Sequence, residues 1–157
     1  MKVLLFGNNF QQQALHGIKD LIAHLQQRGM ECAVERDFHS YLVQELGHMD
    51  HVKPFAPCEV HSAQLAISLG GDGTFLTTVM WVAQHSIPIL GINTGHLGYL
   101  TACNIDNACD MVDDFAAGKH TIETRTMVQV QCDGAHIEHP FALNEVAILR
   151  HDTSSMI

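Results

Sequence analysis

The stretch Leu65-Ala66-Ile67-Ser68-Leu69-Gly70-Gly71-Asp72-Gly73-Thr74-Phe75-Leu76 decides how the rest of the chain is read. Leu65 to Leu69 is a short apolar run of the kind that fills a strand buried on both faces. Three glycines in four residues then make a loop that lets backbone N–H groups approach an anion without side-chain obstruction. From Thr74 to His85 the residues are apolar almost all round, which predicts a buried helix over 74–85. Strand, glycine loop and helix N-terminus together form a phosphate-handling geometry. Asp72 is the residue that does not belong there by charge. A carboxylate beside bound phosphate is repelled unless it accepts a proton, bridges through Mg²⁺ or binds a hydroxyl, all of which are roles in phosphoryl transfer. The competing reading is a tight turn in which the glycines serve backbone geometry and Asp72 caps the helix.

Outward from this stretch the chain alternates between strands and helices. Val3 to Phe6 is an apolar run closed by Gly7-Asn8-Asn9, and Leu15, Ile18, Leu21, Ile22 and Leu25 then recur at helical spacing between Gln11 and Arg28, before Gly29. Residues 31–35 read as a second strand, 40–46 as a short helix, 88–92 as a strand, and 105–117 as a helix stopped by Gly118. Such alternation predicts an α/β fold with a doubly wound, mostly parallel sheet, and places ligands at loops after Leu69 and Ile92. From Thr121 the pattern becomes strand-like: 126–132, a turn at Asp133-Gly134, then 142–149. The expected organisation is an α/β nucleotide-binding domain over 1–120 and the beginning of an all-β domain over 121–157. The chain stops in apparent strand sequence, so the β-domain is expected to be truncated.

Composition excludes several function classes. The net charge is −9 with only 8 Lys and Arg, which argues against nucleic acid, whose affinity depends on basic residues displacing counterions. The amino-terminal apolar run is too short for a signal sequence or a membrane span. The cysteines, five in number and without close pairs, suggest neither a disulfide framework nor a zinc site and fit a reducing cytoplasm. His48 and His51, spaced i and i+3, read as solvated loop residues rather than metal ligands, and no residue is assigned to bind metal directly. No GxxxxGK[ST], GxGxxG, GxSxG or HExxH is present, which removes the Walker, dinucleotide-fold, hydrolase and zincin readings.

The string Gly70 to Leu76 is similar to the signature shared by NAD kinases, diacylglycerol-type lipid kinases and, more distantly, phosphofructokinases. Gly91-Ile92-Asn93-Thr94-Gly95-His96-Leu97-Gly98-Tyr99-Leu100 resembles a segment that NAD kinases carry at this distance and lipid kinases do not. Ala142-Leu143-Asn144-Glu145-Val146, soon after Arg125-Thr126-Met127, is similar to the Asn-Glu motif of the same family. The resemblance implies a phosphofructokinase/NAD-kinase-like α/β domain and transfer of the ATP γ-phosphoryl group, or that of polyphosphate, to the adenosine ribose 2′-hydroxyl of NAD, giving NADP. Mg²⁺ or another divalent metal is implied as cofactor, and a homo-oligomer, dimer or tetramer, as the assembly.

By the same resemblance Asp72 is the catalytic residue, placed to activate the hydroxyl. Gly71, Gly73, Thr74, Phe75, Leu76 and Asn93 line the nucleotide site, Tyr99 stacks on adenine where the family commonly has Phe, and Asn144 and Glu145 bind the NAD adenosine. Nothing before Ile157 resembles the Thr-Gly-Ser-rich stretch that completes the family's NAD pocket, so this chain alone is expected to be inactive. Two alternatives stay open: a lipid or sugar kinase sharing the glycine motif, and a non-catalytic nucleotide-binding module. His96 within the second motif, and Arg150 with His151 after the third, are further polar candidates.

Overall fold

In a computed structural model the described residues are 1–147 apart from 10, 48, 50, 51, 96, 97, 102, 138 and 139. Strand β1 (Lys2–Phe6) is followed by helix α1 (Leu15–Gln27), β2 (Glu31–Val34), α2 (Arg36–Leu46), β3 (Lys53–Pro54), β4 (Leu65–Leu69), α3 (Asp72–Val82), β5 (Ile89–Asn93), β6 (Cys103–Asn104) and α4 (Ala108–Ala116). The six strands form one parallel sheet in the order β3-β2-β1-β4-β5-β6, with Val3 paired to both Cys32 and Leu65, Ile67 to Leu90, and Ile92 to Cys103. This is the parallel α/β sheet expected from the alternation of elements.

Residues alternating along the central strands supply two cores. Val3, Leu5, Leu65, Ile67 and Ile92 face one way and pack with Leu21 and Leu25 of α1, Phe38 and Leu42 of α2, and Val112 of α4. Leu4, Phe6 and Ala66 face the other way, toward Val82 of α3 and toward Phe55. There Phe6, Phe55 and Trp81 form an aromatic triangle with ring centroids 5.3 to 6.2 Å apart. Both faces being covered explains why β1 and β4 read as nearly continuous apolar runs, interrupted within β4 only by the buried Ser68, rather than as alternating ones. Helices α1 and α4 are further joined by Asp113, whose carboxylate accepts from His24 at 2.9 Å and from the Arg28 guanidinium.

Several boundaries differ from the sequence reading. Helix α2 starts at Arg36 rather than Ser40, because the Glu35 carboxylate accepts the Phe38 N–H at 2.9 Å and caps it early. Helix α3 starts at Asp72 rather than Thr74, with Gly71 in the cap position, and ends at Val82 before a single 3₁₀ turn. It is not buried all round: Thr78, Val79 and Val82 face the sheet, whereas Met80 is exposed. Its outer side is apolar because a second partner lies there. After α4 the chain forms a short antiparallel pair, β7 (Val128–Gln129) with β8 (Phe141–Ala142). The strand expected over 142–149 ends at Ala142 among the described residues, and β8 leads into a segment that lies against α3.

Candidate functional site

The sheet order places a topological switch between β1 and β4, since the chain winds outward from β1 to β3 on one side and from β4 to β6 on the other. Loops at the carboxyl ends of these strands therefore diverge and open a crevice. The glycine loop occupies one lip. The Gly70 N–H is fixed by the carbonyl of Ile92 at 2.9 Å, and Gly70 itself sits at φ +152°, where a side chain would also run into Thr74. No side chain caps α3, so the N–H groups of its first turn stay available to an anion. Among the described residues, and apart from the adjoining backbone, nothing lies within 4 Å of the position a Cβ would take at Gly71 or Gly73, which leaves the mouth of the loop open.

Asp72 does not cap the helix it begins. Its carboxylate crosses to the loop after β5, where Oδ2 accepts the Tyr99 N–H at 3.0 Å and Oδ1 accepts the Leu100 N–H at 2.9 Å. The chain can come this close only because residue 98 is glycine: a Cβ there would stand 2.8 Å from the Asp72 carboxyl carbon. Asn93, buried at the end of β5, holds the base of the same loop by donating to the Thr101 hydroxyl at 3.3 Å and accepting the Gly95 N–H at 2.6 Å. Phe75 lies half-buried with its ring over Gly91, so it packs the glycine loop's helix onto β5. Tyr99 is 99% exposed, an unusual placement for an aromatic ring and one open to a stacking partner.

Gly71, Asp72, Gly73, Thr74 and Tyr99 thus gather at one place. Leu76, Asn144 and Glu145 gather at another, a cleft of about 360 Å³ between α3 and the segment after β8, which Met80, Phe141 and Leu143 also line. Asp72, Leu76 and Met80 follow one another at intervals of four residues, so both groups lie along one side of α3. The cleft is mainly apolar with Asn144 and Glu145 exposed at it, an apolar lining with a few polar groups of the kind small-molecule sites have. His48, His51, His96, Arg150 and His151 lie outside the described residues.

The sequence reading passed over Asn8. Its carboxamide Nδ2 donates to the Thr74 hydroxyl at 3.0 Å, and the nearby Gln11 carboxamide donates to the carbonyl of Leu69, so the loop after β1 is tied to the glycine loop at two points. The rule that ligands bind beside the switch point could have singled out that loop, since β1 is one of the two strands flanking it. Gly98 carries no sequence signal of its role, because nothing in the sequence shows that a carboxylate 26 residues earlier meets its backbone.

Residues 3–120 match the family of the ATP-NAD kinase N-terminal domain. Relatives described as NAD kinase include those of Bacteroides fragilis, 37% identical over 158 residues, and Porphyromonas gingivalis, 36% identical over 156. They cover 100% and 99% of this chain but 54% of each relative, so the chain spans about half the length of the curated relatives it matches. Among solved structures, yeast NADH kinase complexed with NADH has a TM-score of 0.70 at 17% identity, covering 87% of this chain and 44% of the other. An NAD kinase from Archaeoglobus fulgidus in complex with ATP has a TM-score of 0.65 at 21% identity, covering 99% and 51%. At these identities the likeness establishes the fold.

Proposed function

The chain belongs to the ATP-NAD kinase family, and from that premise we propose that it forms the nucleotide-binding half of an enzyme that phosphorylates NAD at the 2′-hydroxyl of its adenosine ribose, giving NADP. Residues 1–120 are the domain that carries the chemistry and 121–157 open a β-domain. The observation that carries the reading is the Asp72 carboxylate, held by two backbone N–H groups at the mouth of an uncapped glycine loop. Each of its oxygens accepts one N–H and keeps capacity to accept from a substrate hydroxyl. As the ribose oxygen attacks the γ-phosphorus, Asp72 takes its proton, the bond to the β-phosphate bridging oxygen breaks, and ADP leaves with that electron pair. With polyphosphate as donor, the shortened polyphosphate leaves instead.

The first-turn N–H groups of α3, Gly71, Gly73 and the Thr74 hydroxyl receive the phosphates. Tyr99 offers its exposed ring to the adenine, and Asn144 and Glu145 bind the adenosine from the cleft along α3. Phe75, Leu76 and Asn93 give the pocket its apolar floor and fix its loops. Among the described residues no three His, Cys, Asp or Glu side chains are grouped to hold a metal, and Asp72 alone is not a cation cage. A divalent ion would therefore enter held by the phosphates of the nucleotide. A homo-oligomer in the cytoplasm is the expected setting.

The test is direct. The full-length protein, of the relatives' size, is incubated with NAD and with ATP or polyphosphate, and NADP is measured, alongside diacylglycerol and fructose 6-phosphate as competing acceptors. NADP formation is expected; phosphorylation of a lipid or sugar without NADP would overturn the proposal.

A further inference from the structure

We infer that the backbone of Gly98, Tyr99 and Leu100 is a positioning element for Asp72, and that Tyr99 ties the base-stacking surface to the reacting carboxylate through its own main chain. The inference rests on the reading of Asp72 as the group that accepts the ribose proton.

One hydrogen bond leaves a carboxylate free to rotate about its terminal torsion, which is broad for Asp. Two consecutive N–H donors, one to each oxygen at 3.0 and 2.9 Å, fix the plane of the group as well as its place. Neither bond belongs to a helix or sheet ladder. Gly71, not Asp72, stands at the cap position of α3 and leaves it without a side-chain cap, and Asn93 separately ties the loop after β5 through Thr101 and Gly95. What the two bonds do accomplish is to aim Asp72, and Gly98 is the residue whose missing side chain permits it.

Tyr99 then serves both partners of the reaction. Its N–H holds the carboxylate, while its ring, almost fully exposed, is free for a base. A nucleoside stacked on that ring and the carboxylate that deprotonates its ribose are separated by the backbone of a single residue. Seating the base and aiming Asp72 become one event, and a displacement of the carboxylate alone, with the ring left in place, is felt in turnover more than in binding.

The test uses the full-length protein and two variants. Gly98→Ala pushes the carboxylate out of its clamp. It is expected to lower kcat by about 10²-fold, the cost of misplacing a reacting group by roughly 1 Å, with KM for NAD changed by less than about threefold. In hydrogen exchange the Tyr99 and Leu100 amides are expected to be protected in the wild type, and to lose about tenfold or more of that protection in Gly98→Ala and in Asp72→Ala alike. A Gly98→Ala enzyme with near wild-type kcat, or amides that exchange at the same rate with and without the Asp72 carboxylate, would overturn the inference. If Gly98→Ala does not fold, the Asp72→Ala comparison, which introduces no new atoms, decides it. A wild type that makes no NADP sinks the kinase reading instead, while the exchange comparison still tests the clamp.

Discussion

The Asn8 carboxamide donates to the Thr74 hydroxyl across 3.0 Å, and this bond fixes which way the hydroxyl can act. A hydroxyl has one proton to give. With a lone pair of Thr74 engaged by Asn8, that proton is left for another acceptor, such as a phosphate oxygen at the loop mouth. Asn8→Ala is expected to raise KM for the phosphoryl donor by about threefold to tenfold, the size of one hydrogen bond. Asn8→Asp should be worse than Ala, because the new carboxylate takes the hydroxyl proton and adds a negative charge beside the phosphates. Steady-state kinetics with varied ATP at saturating NAD measure the order; an Asp variant better than the Ala variant refutes it.

Asp72→Asn removes the proton acceptor while keeping the side chain's shape. In the full-length protein kcat should fall by about 10²- to 10⁴-fold. Calorimetry should find NAD affinity within about threefold of wild type. Retention of near wild-type turnover would show that Asp72 is not the base.

Because Tyr99 is 99% exposed, removing its ring should leave the thermal midpoint unchanged while weakening nucleotide binding. Tyr99→Ala is expected to raise the dissociation constant for NAD by about tenfold or more, the scale of one base–aromatic stack, whereas Tyr99→Phe retains it. Equal loss in the two variants would mean that the hydroxyl and not the ring is recognised.

The cysteines provide a check on the core. Burial pushes the Cys32 thiol up to about 12 from the ordinary value near 9, and burial also raises Cys103 and Cys109, whereas Cys132 is exposed. Only thiolate reacts, so at pH 8, among Cys32, Cys103, Cys109 and Cys132, the native protein should alkylate first at Cys132, with Cys32 slower by about 10³-fold or more. Peptide mapping by mass spectrometry resolves the sites. In linkage terms, the raised Cys32 value contributes stability that is complete below pH 9 and is lost as pH climbs toward 12.

Asp113 gives the opposite sign. The hydrogen bond from His24, followed by that from Arg28, holds its carboxyl below the ordinary carboxylate range. Its contribution is present above that range and disappears as pH falls through the lowered value. Asp113→Asn should therefore unfold more easily than wild type at pH 6, and the gap between them, followed by denaturant midpoints, should close toward pH 3.

How far the sequence carries depends on the range of the forces involved. Val3 to Phe6, Leu65 to Leu69 and the amphipathic run of α1 were legible because burial of whole elements imposes periodicity. β3 and β6 were not, since two residues held by pairing of Ala33 with Lys53 and of Ile92 with Cys103 leave no pattern. The alternation over 142–149 looked like a strand, yet in the described residues only Phe141 and Ala142 find a partner strand. At the site, Asp72 stood out as a charge among glycines. Asn8 and Gly98 did not, because their part is a contact with a residue far away in the chain, and a lone Asn or Gly in a loop carries no trace of it.

The six-stranded sheet ends on both sides in strands of two residues, and on one side the last of them is Pro54, which has no N–H to offer. Such borders are poor templates for another chain. Joining of copies of this domain strand to strand into a continuous sheet is thereby disfavoured. The frame that sets out the switch-point crevice is thus also the one that keeps neighbouring molecules from adding to its edges.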